Sequence, residues 1–194
     1  MSNKKVGIFS GTFDPIHVGH IEFALETIKS IDLAQVVFLP EQNPRQKSPA
    51  SYLHRSAMIK LATAKYPRLL LEQLEEPQFS VAKTLPKLQE LYKQTGLVLL
   101  IGSDAIKTFS YRWPGLDQLL GSVQLAVGIR AGDDAQQTDQ QLMQSYKEYD
   151  LQPNYTLLRS PHEHLASTNI RTNQHTINDI SPEVAAYIKQ HQLY

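Results

Sequence analysis

The chain has no cysteine among its 194 residues. Disulfides, thiolate-held metals and thiol catalysis are therefore excluded. It also lacks an excess of either charge, since Lys plus Arg and Asp plus Glu both number 19. That balance argues against a broad basic face for nucleic acid or anionic membrane, while leaving room for a local cationic pocket. No apolar run approaches the ~20 residues needed to cross a bilayer. Met1-Ser2-Asn3-Lys4-Lys5 leads straight into a strand-like run, without the apolar stretch and cleavage site of a signal peptide. Cytoplasm is the expected location, so the glycosylation sequon Asn154-Tyr155-Thr156 carries no weight. Two familiar phosphate loops, GxGxxG and GxxxxGK[ST], are absent as well.

What is present is alternation. Short apolar runs at Val6–Phe9, Val36–Leu39, Leu69–Leu71, Leu97–Ile101, Val123–Ile129 and Tyr155–Leu158 read as strands. Between them lie helical patterns. Ile21 to Ile31 carries Ile21, Leu25 and Ile28 on one side. Tyr52 to Ala64 reads as a second helix with Leu53, Ala57 and Leu61 on one face, and Ser80 to Tyr92 as a third with Pro86 in its early turns. Gln136 to Gln144 is a polar helix or loop. Ser181-Pro182-Glu183 opens a last helix, with a capping Ser, Pro at the first position and an acid in the first turn. Fully apolar strands alternating with helices predict a Rossmann-like, doubly wound α/β fold with a parallel sheet of about five to six strands. At 194 residues and 41% hydrophobic composition, one domain over 1–194 is expected. Such sheets bind ligands beyond the carboxyl ends of their strands, so the informative residues are those that follow strands.

After the first strand comes Ser10-Gly11-Thr12-Phe13-Asp14-Pro15-Ile16-His17-Val18-Gly19-His20, and then a helix. Small residues at Ser10 and Gly11 let backbone N–H groups approach a ligand. The helix N-terminus favours phosphate. His17 and His20, three residues apart, project on one side, and Gly19 leaves space between them. This segment resembles the (S/T)FDPxHxGH signature of the nucleotidylyltransferase superfamily, and within it the nicotinate (or nicotinamide) mononucleotide adenylyltransferases. Leu165-Ala166-Ser167-Thr168-Asn169-Ile170-Arg171 resembles the ISSTxIR motif of the same family. Ser and Thr can cap a helix facing anions, and Arg171 offers a fork of donors for phosphate. Ile101-Gly102-Ser103-Asp104 resembles the family's GxD element, and Phe38-Leu39-Pro40 through Pro44 and Lys47 its acceptor-side loop.

The resemblance implies transfer of AMP from ATP to nicotinate mononucleotide, with release of pyrophosphate, in NAD biosynthesis. It implies catalytic roles for His17, His20, Lys47 and Arg171. Ser10, Gly11, Thr12, Phe13, Gly19, Gly102, Ser103, Asp104, Ser167, Thr168 and Ile170 would border the nucleotide. Thr84, Tyr111, Trp113 and Arg130 would serve the acceptor; Trp113 is the sole tryptophan and Tyr111 its rival. Mg²⁺ would travel with ATP, because the sequence shows no cage of carboxylates. His162-Glu163-His164 lacks a third ligand and is read as a solvated loop. No dedicated protein metal site is expected. The partners are ATP and a small phosphorylated acceptor, with self-association possible.

The chain departs from the family pattern mainly on the acceptor side. Glu41 and Gln42 stand where Asn is usual, and Gln46 where His often precedes the loop lysine. Ile180-Ser181-Pro182 replaces a Gly and Val-Pro segment, Ala166 replaces the first Ser of ISST, and Ser10 replaces Gly. Alternatives are therefore another acceptor (nicotinamide mononucleotide, phosphopantetheine or a phospho-alcohol) or a non-catalytic nucleotide-binding protein.

Overall fold

In a computed structural model the described residues are 4–44, 48–73, 75–159, 165, 167–172 and 179–194. Lys47 and the His162–His164 segment lie outside them. The strands are β1 (Val6–Gly11), β2 (Gln35–Pro40), β3 (Leu69–Leu71), β4 (Leu97–Gly102), β5 (Gln124–Ile129) and β6 (Tyr155–Arg159). The helices are α1 (Val18–Ile31), α2 (Tyr52–Thr63), α3 (Thr84–Leu91), α4 (Ser103–Ile106), α5 (Leu116–Ser122), α6 (Ala135–Glu148), α7 (Ser167–Arg171) and α8 (Pro182–His191). The six strands pair in the order β3-β2-β1-β4-β5-β6, and every pairing is parallel. This is the doubly wound order, with the direction of winding reversing between β1 and β4.

Alternating side chains build a core on each face. Phe9 of β1, Val36 and Phe38 of β2, Val98 and Leu100 of β4 and Ala126 of β5 join one cluster with α1, α2 and α8. Val6 and Ile8, Val37 and Leu39, Leu97 and Leu99, and Leu125 and Val127 join the other, against α3, α5 and α6. The central strands β1, β2, β4 and β5 are buried on both faces, hence their largely apolar composition.

Two helices differ from their sequence patterns. On α2 Leu53 is 78% exposed, while Arg55, Met58, Ile59 and Ala62 are buried. The i, i+3, i+4, i+7 stripe thus begins with an arginine, and reading Leu as the anchor rotated the face. The third helix starts at Thr84 rather than Ser80, because Val81 to Lys83 form turns. Pro86 then falls in the first turn, where its missing N–H costs nothing. Ser51 caps α2 through His54 N–H, and Ser181 caps α8 through Val184 N–H as expected. The Gln-rich segment is the outer part of α6, anchored by Thr138, Leu142 and Tyr146.

Candidate active site

The β1–β4 pairing ends at Ile8 opposite Leu99. On their other sides both strands pair further, β1 to Gly11 against Pro40 and β4 to Gly102 against Gly128. The ends of β1 and β4 therefore lean toward opposite neighbours and leave a crevice between them. A cleft of about 700 Å³ opens there, at the reversal point where doubly wound sheets bind ligands.

Its first wall is the loop from Ser10 to His20. Ser10 Oγ donates to the Leu39 carbonyl at 3.3 Å. Phe13 has a φ of +51°, a conformation that costs a bulky residue roughly 1–3 kcal/mol. Its ring is held edge-on between Phe9 at 5.2 Å and Phe38 at 5.4 Å. Asp14 is fully buried and accepts the Ala50 N–H at 3.1 Å. Tyr194 also donates its hydroxyl to Asp14, and Arg171 Nη1 donates to the Asp14 carbonyl at 2.6 Å. Ser167 Oγ donates to the Pro15 carbonyl at 3.0 Å. The second motif thus docks on the first, across about 150 residues of chain.

His17 caps α1, and its N–H donates to His20 Nδ1 at 3.2 Å. The two rings stack with centroids 3.7 Å apart. His20 also meets Phe13 at 5.2 Å and Phe9 at 5.8 Å. Burial holds its pKa well below the ordinary histidine value, and positive charge at His17 and at Arg130 would push it down further. His20 is therefore neutral at pH 7. Because Nδ1 accepts a backbone N–H, the single ring proton sits on Nε2.

The opposite wall comes from β4 and β5. A Cβ on Gly102 would fall 2.2 Å from Asp104 Oδ1 and 3.1 Å from Arg130 Nε, so glycine is what lets these two side chains meet. Their separation is 3.3 Å. Ser103 is buried and structural: its hydroxyl accepts Arg130 N–H at 2.9 Å and donates to Asp133 at 2.6 Å. Lys107 completes the group at 2.5 Å from Asp133, whose carboxyl is held below its usual range chiefly by that lysine and then by Ser103. At the far end stand Trp113, Phe79, Ser80, Val81 and Glu41. Trp113 packs edge-on against Phe109 at 5.1 Å, and its Nε1–H donates to Thr108 Oγ1 at 3.0 Å.

Of the residues singled out in the sequence, Ser10, Gly11, Thr12, Phe13, His17, Gly19, His20, Gly102, Asp104, Trp113, Arg130 and Ser167 line one cleft. Others fall outside its lining. Thr84 is buried, with its hydroxyl accepting Ser80 N–H at 3.0 Å and facing Glu76 at 3.4 Å. Tyr111 is 81% exposed, so of these two aromatics it is Trp113 that lines the cleft. Ile170 belongs to the core. Thr168 Oγ1 accepts Arg171 Nη2 at 3.0 Å, a second tie within α7. The sequence reading assigned nothing to Arg55, although an arginine inside an apolar helical stripe is itself a signal.

Comparison with known proteins places this geometry. The family model described as cytidylyltransferase-like matches residues 8–173, a span running from the first strand through the second motif. A probable nicotinate-nucleotide adenylyltransferase of Neisseria meningitidis is 33% identical, with 98% of each chain covered. Another from Herpetosiphon aurantiacus is 32% identical over 98% of each chain. Among solved structures, Plasmodium falciparum nicotinic acid mononucleotide adenylyltransferase complexed with NaAD has the same fold, with a TM-score of 0.79 at 18% identity, covering 98% of this chain and 97% of that one. With the signature histidines and Ser167 of the second motif lining one crevice, and with relatives matched over 98% of each chain, the chain belongs to the cytidylyltransferase-like family, among the nicotinate-nucleotide adenylyltransferases.

Proposed function

We propose that the cleft transfers AMP from ATP to nicotinate mononucleotide, forming deamido-NAD and pyrophosphate. The observation that carries this reading is the stacked His17–His20 pair at the N-terminus of α1, inside the crevice between β1 and β4. An oxygen of the acceptor's phosphate attacks the α-phosphorus, and the bond to the bridging oxygen of the leaving pyrophosphate breaks. The attacking phosphate is already anionic, so no general base is needed. The protein's task is to align two anions and stabilise the charge that builds on the transferring group.

His20 suits that task as a neutral donor. Its Nε2–H is fixed by the His17 N–H on the other nitrogen, so it needs no change of protonation to bind the α-phosphate. His17, at the helix N-terminus, is assigned to the same phosphate. Arg171 spends Nη1 on Asp14 and Nη2 on Thr168, and the remaining N–H groups of its guanidinium are assigned to the β- and γ-phosphates. Lys47 is assigned to acceptor or α-phosphate charge. Trp113 is assigned as the ring platform for the pyridine, and Arg130 as a cation of the β4–β5 wall. Among the described residues no group of three or more His, Asp or Glu stands ready for a metal ion. Mg²⁺ is assigned mainly to triphosphate oxygens and water, with Asp104 a carboxylate of the cleft lining; when bound it would neutralise triphosphate charge.

The test is pyrophosphate release with ATP and Mg²⁺, comparing nicotinate with nicotinamide mononucleotide. Faster release with the nicotinate compound is the expected result. ATP binding without release for either acceptor would keep the fold and remove the proposed reaction.

A further inference from the structure

We infer that Arg55 is a positioning residue for this reaction: one buried guanidinium sets the spacing between the loop after β1 and the loop after β2. This inference rests on the reading of the cleft given above. Arg55 lies on α2 and is 0% exposed. Its three nitrogens all donate to main-chain carbonyls. Nε reaches Ala50 at 2.9 Å, Nη1 reaches Thr12 at 2.7 Å, and Nη2 reaches Glu41 at 2.7 Å and Gln42 at 3.3 Å. An arginine that merely satisfied a helix end would bond carbonyls of one segment. These belong to three, and two of them, those of Thr12 and Glu41, come from residues that line the same cleft.

The bracket continues past Arg55. Glu41 N–H donates to the Gly11 carbonyl at 3.0 Å, and Asn43 N–H donates to Pro77 at 2.9 Å. The Glu41 carboxylate accepts Phe79 N–H at 3.3 Å, and Phe79 also lines the cleft. Thr12, Glu41 and Phe79 are thus held in one frame whose centre is the guanidinium plane. Burial works against the charge on Arg55, and Asp14 is first among the groups that favour it. Only a planar fork with donors on three nitrogens reaches carbonyls in three directions; a lysine ammonium donates from a single point. Misplacing reacting groups by about 1 Å can cost roughly a hundredfold in rate.

The experiment is Arg55→Lys in the full chain, with both substrates varied in the pyrophosphate assay below the variant's melting temperature. The expected result is a folded variant whose kcat falls roughly a hundredfold, with a smaller change in the KM for ATP. A folded variant with wild-type kcat and both KM values unchanged overturns the inference and makes Arg55 a stability residue only. A second measurement needs no variant and no acceptor. In native-state hydrogen exchange on the wild-type protein, the amides of Glu41, Asn43 and Ala50 should open together, with one shared dependence on denaturant. Independent opening of Asn43 and Ala50 at far lower free energy than Glu41 overturns the inference even if the acceptor proves to be another compound.

Discussion

The two walls of the cleft are held by different means. The β1 wall is fastened by buried and half-buried groups: Asp14, Arg55, Ser167 and Arg171 tie a loop containing a left-handed Phe13 to the segment at Ala50, to α2 and to α7. The β4–β5 wall is fastened mainly by charges near water. Arg130 and Asp104 keep 41% and 64% of their side-chain surface exposed, and Lys107 is half exposed beside a largely covered Asp133. Buried hydrogen bonds to backbone fix geometry, whereas exposed ion pairs are screened and contribute little to stability. On the reaction proposed above, the difference would divide the tasks: the wall carrying the histidines would hold the transition state, and the wall carrying Arg130 and Asp104 would attract and sort substrates.

The largest effect should follow from removing the donor on the rigid wall. His20→Ala is expected to lower kcat by about two to three orders of magnitude, the typical loss of one preorganised donor, with the melt still cooperative. Wild-type turnover in folded His20→Ala would move the chemistry away from this wall and erase the contrast.

Next in size is Trp113→Ala, at the end of the softer wall. It removes the ring platform and leaves Thr108 Oγ1 without its indole donor. The KM for the acceptor should rise by roughly tenfold or more, the order expected for losing an aromatic contact, while the KM for ATP stays near wild type. Equal changes in both would mean that Trp113 supports the whole cleft rather than one substrate. Gly102→Ala comes third. Its new Cβ would meet Asp104 Oδ1, the mobile tip of an exposed side chain. The carboxylate can swing away, so the melting temperature should fall by only a few degrees. The Arg130–Asp104 pair should be lost, and a several-fold rise in a substrate KM without loss of kcat would show that this wall binds rather than catalyses.

The same contrast explains what could be read from the sequence. The order of strands and helices was legible because β1, β2, β4 and β5 are buried on both faces and must be apolar throughout. The rigid wall was legible because its parts are contiguous: His17, Gly19 and His20 stand at the start of α1, and Ser167 to Arg171 form one short helix. What the sequence reading missed were residues whose meaning is set by contacts distant in the chain. Arg55 carries no assignment until its carbonyl partners at Thr12 and Glu41 are known. Thr84 reads as a ligand contact until its hydroxyl is found bonded to the Ser80 amide. Tyr111 and Trp113 are two residues apart, and only the fold decides that one faces solvent and the other the cleft.

The smallest prediction joins the two walls through His20. The folded protein holds this histidine's pKa below the ordinary value, by burial first, then by His17, then by Arg130. The unfolded chain takes up the proton near pH ~6.5, its unperturbed value. Between the two pKa values the unfolded state binds more protons, so stability rises with pH there and falls as the pH drops below that point. Protonation also removes the Nδ1 acceptor for His17 N–H, so activity should fall on the same acid limb. Arg130→Gln removes a positive charge that disfavours His20 protonation. The folded pKa should rise, and the acid limb of the pH–rate profile should shift to higher pH by a small amount, because Arg130 is the weakest of the three causes. The shift should shrink as salt is added, since Arg130 is partly exposed and screened. An acid limb that does not move would sever the walls electrostatically and leave burial among Phe9 and Phe13, with His17, as what keeps His20 neutral.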